Sequence, residues 1–229
     1  MVSYRSPLLI GFLLTLSILT AKDFEQADYN AAALKATLAC LSSAPLPAEG
    51  SPITVSMHPA FITTDITRNP GSKNLMPALE VLWSVSPNLD ILGGLGMANI
   101  AGDLIRWQRW GLSFLAETLE LAGFVPRFNF LQGGLSGFAS YNTKWNQTDW
   151  IYNRKFGSWR AHVGITMLFH TVFLQGTDIA EGISRRTEIN KNFLYLGGGY
   201  DIFSWLTLDG FGIFGKAGST TGLQISLAL

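Results

Sequence analysis

Apolar and polar positions alternate with a period of two over much of this chain. Leu223, Ile225, Leu227 and Leu229 alternate with Gln224, Ser226 and Ala228 up to the last residue. Period two is the mark of a pleated strand with one apolar face. The same pattern runs through Leu194, Leu196, Gly198, Tyr200 and Ile202, turns at Phe203-Ser204-Trp205 and resumes at Leu206 and Leu208. From Ser158 to Leu174, Trp159, Ala161, Val163, Ile165, Met167 and Phe169 oppose Arg160, His162, Gly164, Thr166 and His170. Ile53 to Asp65, Leu75 to Val85 and Leu89 to Ala98 obey the same rule. Asn69-Pro70-Gly71-Ser72 is a turn, and the short Ser86-Pro87-Asn88 corner makes its two flanking strands a hairpin.

Four stretches are less regular. Asp103 to Trp110 (DLIRWQRW) reads as a polar and aromatic loop or a short helix, and the following LSFLAETLEL fits a strand and a helical turn equally well. Phe124 to Leu131 is a strand, which Gly133 to Trp145 either extends or follows as a separate strand. Asn146 to Gly157 reads as a loop rich in Trp, Tyr, Asn and Arg, and Gln175 to Asn190 as a long external loop. Splitting the Gly133 region yields ten strands with both termini on the side of the short corners. Without the split there are nine, and single-chain bacterial barrels take an even number. The expectation is an all-β antiparallel barrel of eight to ten strands, ten favoured, preceded by a short helical segment.

That segment comes from the N-terminal part. Residues 1–21 carry Arg5, an apolar run from Pro7 to Leu19 and small residues before Ala21, the pattern of a secretory signal peptide cut after Ala21. The run is shorter than the roughly 20 residues of a helical span. Residues 22–50 then hold a periplasmic helix with Ala31 to Ala33, Leu34, Leu38 and Leu41 on one side, placed at or in the barrel mouth. Pro45, Pro47, Gly50 and Pro52 form a stiff linker, so the barrel occupies 51–229.

Composition changes the picture in one respect. Hydrophobic residues make up 48% of the chain and charged residues only 14%, against about 25% in an average soluble domain. No salt-rich, water-facing surface is being built, and beyond the N-terminus no apolar run is long enough for a helical span. Apolar excess without helical spans is what a membrane barrel produces. Lys plus Arg equals Asp plus Glu at 16 each, so nothing points to nucleic acid. The single Cys40 excludes an internal disulfide. In a soluble, lipocalin-like barrel the less apolar face would be crowded with charge; here it is mostly Gly, Ser, Thr, Ala and Asn. The apolar face is therefore assigned to lipid, with Trp83, Trp159, Tyr200 and Phe214 near strand ends as headgroup anchors.

The same phasing sends His58, His162, His170, Glu80, Arg127, Arg160 and Asp209 inward. Histidine near carboxylate can do general-base work or bind zinc. The alternative is a hydrogen-bonded polar network, since charges in a low-dielectric interior must be paired, and this reading is preferred. No catalytic, metal or cofactor residue is assigned. Gly197-Gly198-Gly199 and Gly93-Gly94-Leu95-Gly96 lie within strand patterns and are not phosphate loops.

The stretch GGGYDIFSWLTLDGFGIFG from Gly197, followed by GLQISLAL to Leu229, within the alternation of residues 53–229, resembles the small outer-membrane β-barrel superfamily of bacteria, OmpA/OmpX-like in the broad sense. The resemblance implies a transmembrane up-and-down barrel in the bacterial outer membrane, surrounded by its lipid, handled by the barrel-assembly machinery and monomeric. It implies a structural or surface-interaction role without enzymatic activity. A narrow channel for small or hydrophobic solutes is the alternative, ahead of a lipid hydrolase. Members of the superfamily usually end in Phe or Trp, whereas this chain ends in Leu229.

Overall fold

The computed structural model describes Thr37 and residues 51–62, 74–100, 103–137, 141–174, 185–216 and 218–229. Ten antiparallel strands follow one another around a closed barrel: β1 (Ile53–Ile62), β2 (Asn74–Ser86), β3 (Leu89–Ile100), β4 (Asp103–Leu115), β5 (Val125–Ser136), β6 (Tyr141–Phe156), β7 (Trp159–Leu174), β8 (Arg186–Phe203), β9 (Leu206–Gly215) and β10 (Gly218–Ala228). Each strand pairs with its neighbours in sequence, and β10 closes onto β1 with Thr54 opposite Ala228 and Phe61 opposite Thr221. At the seam the Leu229 amide donates to the Ile53 carbonyl at 2.9 Å, and the Ser51 hydroxyl donates to the Leu229 carbonyl at 2.5 Å. Closure leaves no strand edge free to recruit another chain.

Besides the two-residue connections from β3 to β4 and from β9 to β10 at the opposite end, three more, Pro87-Asn88, Gly157-Ser158 and Ser204-Trp205, lie at one end, which we call the short-turn end. Gly157 has φ 61°, a left-handed conformation that a side chain would strain. The wider β4–β5 connection at this end contains a single 3₁₀ turn, Glu117–Leu119. The opposite end carries the connections from β1 to β2 and from β7 to β8, and is called the loop end.

Three expectations change. Asp103–Leu115 is a strand, not a loop or helix. Its alternation is disguised because the buried positions hold Trp107 and Arg109 while Arg106 and Gln108 face out, so polarity and burial do not coincide there. Asn146 to Phe156 is not a loop but the second half of β6. Gln147, Asp149 and Ile151 are its buried positions, and an inward Gln and Asp are invisible to a search for apolar stripes. The Gly133 region does not start a strand: β5 runs on to Ser136 and β6 begins at Tyr141, so the count of ten holds with displaced boundaries. In addition β8 begins at Arg186, inside the stretch expected to be loop. The signal peptide, the turn at Asn69 to Ser72 and all of the 22–50 segment except Thr37, which is helical, lie outside the described residues.

The wall is inverted in polarity relative to a water-soluble barrel. Trp83, Leu95, Trp110, Phe130, Trp159, Ile165 and Leu196 are exposed on the outside, and Glu80, Asp90, Arg109, Asn129 and Asp149 are buried within. Toward the loop end the outward positions turn polar, with Arg106, Gln108, Gln132, Lys144, Asn146, Arg186, Glu188 and Asn190. On β7 the apolar outward run extends from Trp159 to Phe169. Those ten steps at about 3.3 Å each, on a strand tilted by about 40°, make a band about 25 Å tall.

Candidate functional site

The lumen has two unlike halves. At the short-turn end it is lined by charge. Arg127 donates to Asp90 at 2.6 Å, and Asp201 receives Arg160 at 2.5 Å, Lys155 at 3.3 Å and the Thr207 hydroxyl at 3.0 Å. One layer deeper, Glu80 and Arg109 form a fully buried ion pair. Ser113 donates to Asn129 at 2.6 Å, Asn129 donates to Asp149 at 3.1 Å, and the Gln147 amide donates to both Asp149 oxygens at 2.9 Å. His162 bridges Asn153 Oδ1, 2.8 Å from Nδ1, and Asp209 Oδ1, 3.4 Å from Nε2. The Ser56 and Ser226 hydroxyls meet at 2.8 Å across the closing seam.

Glycines decide which of these groups can meet. Glu80, Gly94 and Arg109 occupy one row across β2, β3 and β4. A methyl group at Gly94 would lie 2.9 Å from Glu80 Cγ, so the bare glycine is the floor over which Glu80 reaches Arg109 two strands away. On β8, Gly197 and Gly199 do the same service between β7 and β9. A side chain at Gly199 would overlap Asp209, and one at Gly197 would stand 3.2 Å from the His162 ring. Both lumen-facing members of the glycine triplet are thus spaces filled by a His–Asp pair.

Toward the loop end the lining becomes apolar and aromatic, with Trp107, Leu135, Trp145, Leu168, Val172 and Ile213 all buried. Trp145 lies flat on Gly133, where any side chain would overlap its indole. Tyr195 and Phe211 stack at 6.3 Å. In this chamber His170 Nε2 and the Thr143 hydroxyl lie 2.9 and 3.3 Å from the hydroxyl of Thr37, which is itself fully buried.

Of the residues expected inside, Glu80, Arg127, His162, His170 and Asp209 are buried, and Arg160 is half-buried. The side chain of His58, opposite Ala78 on β1, lies outside the described residues. Of this set, His162 and Asp209 meet each other. Glu80, Arg127 and Arg160 take partners that the sequence reading did not single out: Arg109, Asp90 and Asp201. His162 and His170 stand eight residues apart on β7, so they belong to different halves of the lumen. Among the described residues no group of three or more His, Cys, Asp or Glu is placed to hold a metal ion. Among the described residues the arrangement pairs charge with charge locally and ties neighbouring strands of the wall together. The sequence matches no protein-family model and no curated protein.

Proposed function

We propose that this chain is a membrane-spanning β-barrel of the bacterial outer-membrane kind, with a sealed lumen and a structural or surface-interaction role. One observation carries the reading: the polarity of the wall is inverted over a band of the right height. A soluble monomer rarely exposes a continuous apolar patch of more than a few hundred Å². Here exposed Leu, Ile, Val, Phe and Trp encircle the barrel, while nine charged and amide groups of the lumen are paired inside. A band of about 25 Å matches the apolar belt of outer-membrane barrels. Aromatic pairs gather at the short-turn rim, with Trp159 against Tyr200 at 4.8 Å, Phe128 against Trp150 at 5.5 Å and Phe203 against Trp205 at 5.3 Å. Such a girdle suits the layer where lipid headgroups meet water. The resemblance to the small outer-membrane barrels rests on the same alternation and gains its support from the same features.

The test uses the full chain expressed in a Gram-negative host. Fractionation with outer membranes, together with faster gel migration before boiling than after, is the expected result. Recovery of the folded protein from the soluble fraction without detergent overturns the proposal. In planar bilayers the purified protein should hold a closed baseline; sustained unitary conductance would favour the narrow channel instead.

A further inference from the structure

We infer that the chain ahead of Ser51 threads the barrel along its axis, entering at the short-turn end and docking Thr37 in the apolar chamber near the loop end. The occupant of the lumen is therefore a segment of this same chain. The inference rests on barrel geometry and holds whichever medium surrounds the wall.

Three observations carry it. First, the two ends of the path are fixed. Ser51 is tied to the Leu229 and Ile53 carbonyls at the short-turn end, and Thr37 is fully buried against His170 and Thr143. Thr143 stands two residues from the start of β6 and His170 four from the end of β7, both near the loop end.

Second, the length of chain selects the route. From Trp159 to His170 is eleven steps, about 28 Å along the axis at a tilt of about 40°. Thr37 precedes Ser51 by fourteen residues, a reach of at most about 50 Å when fully extended. A path through the lumen fits with slack. A path outside must climb the same height, cross about 10 Å of wall and side chains and then descend again, which uses nearly the whole extended length. Thr37 itself is helical, so full extension is already lost.

Third, the axis is open to such a segment. Every ion pair and side-chain hydrogen bond named above between two residues of the wall joins strands no more than two apart, so each of these hugs the wall. Ten strands about 4.8 Å apart, tilted by about 40°, close at a radius of about 10 Å, which leaves a central space after the side-chain layer. Ala31 to Ala33, Ala36 and Ala39 give the Thr37 segment the small residues that a narrow channel admits. Its apolar character matches the Trp107, Leu135, Trp145 and Val172 lining of the chamber.

The test is a disulfide between plug and wall. Thr37→Cys with Thr143→Cys, in a Cys40→Ser background, replaces hydroxyls 3.3 Å apart with thiols needing only a small shift to bond. Ser56→Cys with Ser226→Cys in the same background is the wall-to-wall control, its hydroxyls being 2.8 Å apart. After mild oxidation with copper phenanthroline and proteolysis, mass spectrometry should find both links in more than half of the folded protein, and neither in protein oxidised in urea. A control link without the 37–143 link overturns the inference. Should the double variant not fold, Thr37→Cys alone decides: its thiol should react with a maleimide at least tenfold more slowly in the folded protein than in urea, while Ser204→Cys on an exposed turn reacts equally fast in both. Equal rates at position 37 overturn the inference. Vesicle insertion of the same samples separates this result from the membrane proposal, since a 37–143 link in protein that never inserts keeps the plug and rejects the lipid-facing wall.

Discussion

Ile165 is where a lipid-facing wall and a water-facing wall make opposite demands. The residue points outward from β7, is 49% exposed, and lies six residues from Trp159 and four from Phe169. It therefore sits near the middle of the band. In lipid, Ile165→Arg carries a guanidinium to mid-membrane at a cost of about 2–4 kcal/mol, or about 30- to 1000-fold in the folding equilibrium. In water, an exposed substitution of this kind stays within about 0.5 kcal/mol. Depth supplies the internal control: Trp159→Arg and Phe169→Arg, at the edges of the band, should lose only about 1 kcal/mol or less of charge cost in bilayers. The neighbouring Thr166 faces the lumen at 1% exposure, opposite the buried Asp149, so Thr166→Arg overpacks a filled layer and should cost about 1–3 kcal/mol in bilayers and detergent alike. Urea titrations in phospholipid vesicles, read by tryptophan fluorescence and by unboiled gel migration, measure all four variants. An unchanged midpoint for Ile165→Arg, or equal costs at positions 159, 165 and 169, would refute the assignment of this face to lipid.

Other consequences are local. Arg109→Met strands the buried Glu80 carboxylate and should cost about 3–5 kcal/mol, whereas Glu80→Met combined with Arg109→Met should cost clearly less than the sum of the single variants; additive midpoints would show that the pair is not coupled. Gly133→Ala drives a methyl group into the Trp145 indole and should lose about 1–3 kcal/mol in urea titration, while Gly93→Ala, with open space around it, should change stability by less than about 0.5 kcal/mol. In a double-mutant cycle, Trp159→Ala and Tyr200→Ala should show a coupling of about 0.5–1.5 kcal/mol from their edge-to-face contact, and a coupling near zero would exclude the girdle pair as a contributor.

How much of this was legible before the structure depended on whether burial and polarity kept to the same alternation. Along most of β7 and β10 they did: Ile165 out and Thr166 in, Ile225 out and Gln224 in, with Leu168 and Val172 inward and Thr221 outward as exceptions. On β4 and β6 they did not. Trp107, Arg109, Gln147 and Asp149 are inward, and toward the loop end Gln108, Lys144 and Asn146 are outward, so polar residues occupy both faces and the stripe vanishes. The inward direction of Glu80, Arg127, His162 and Asp209 followed from phase alone. Their partners did not, because alternation says which way a side chain points and nothing about which strands become neighbours. Arg109 and Asp90 were out of reach of sequence reasoning for that reason. The one signal that could have found a partner was the glycine triplet, whose lumen-facing members mark the gap that Asp209 crosses toward His162.

That gap explains how a lumen crowded with charge can still admit a chain. A side chain opposite a glycine lies down along the wall toward the next strand; one opposite another large residue must stand up into the lumen. Glu80 lies over Gly94, Asp209 over Gly199, Trp145 over Gly133, and Phe211 against Gly222. These four groups are thus folded sideways, and Glu80 and Asp209 meet Arg109 and His162 within the lining layer. Pairing much of the charge within the wall lowers the polar demand on the axis. An alanine-rich segment, with a hydroxyl at position 37 to meet His170 and Thr143, can then occupy the axis. Filling Gly94 or Gly199 with a side chain would stand Glu80 or Asp209 upright into that path. Such variants should therefore release Thr37 from the chamber, detectable as faster maleimide reaction of Thr37→Cys, even where the barrel stays closed.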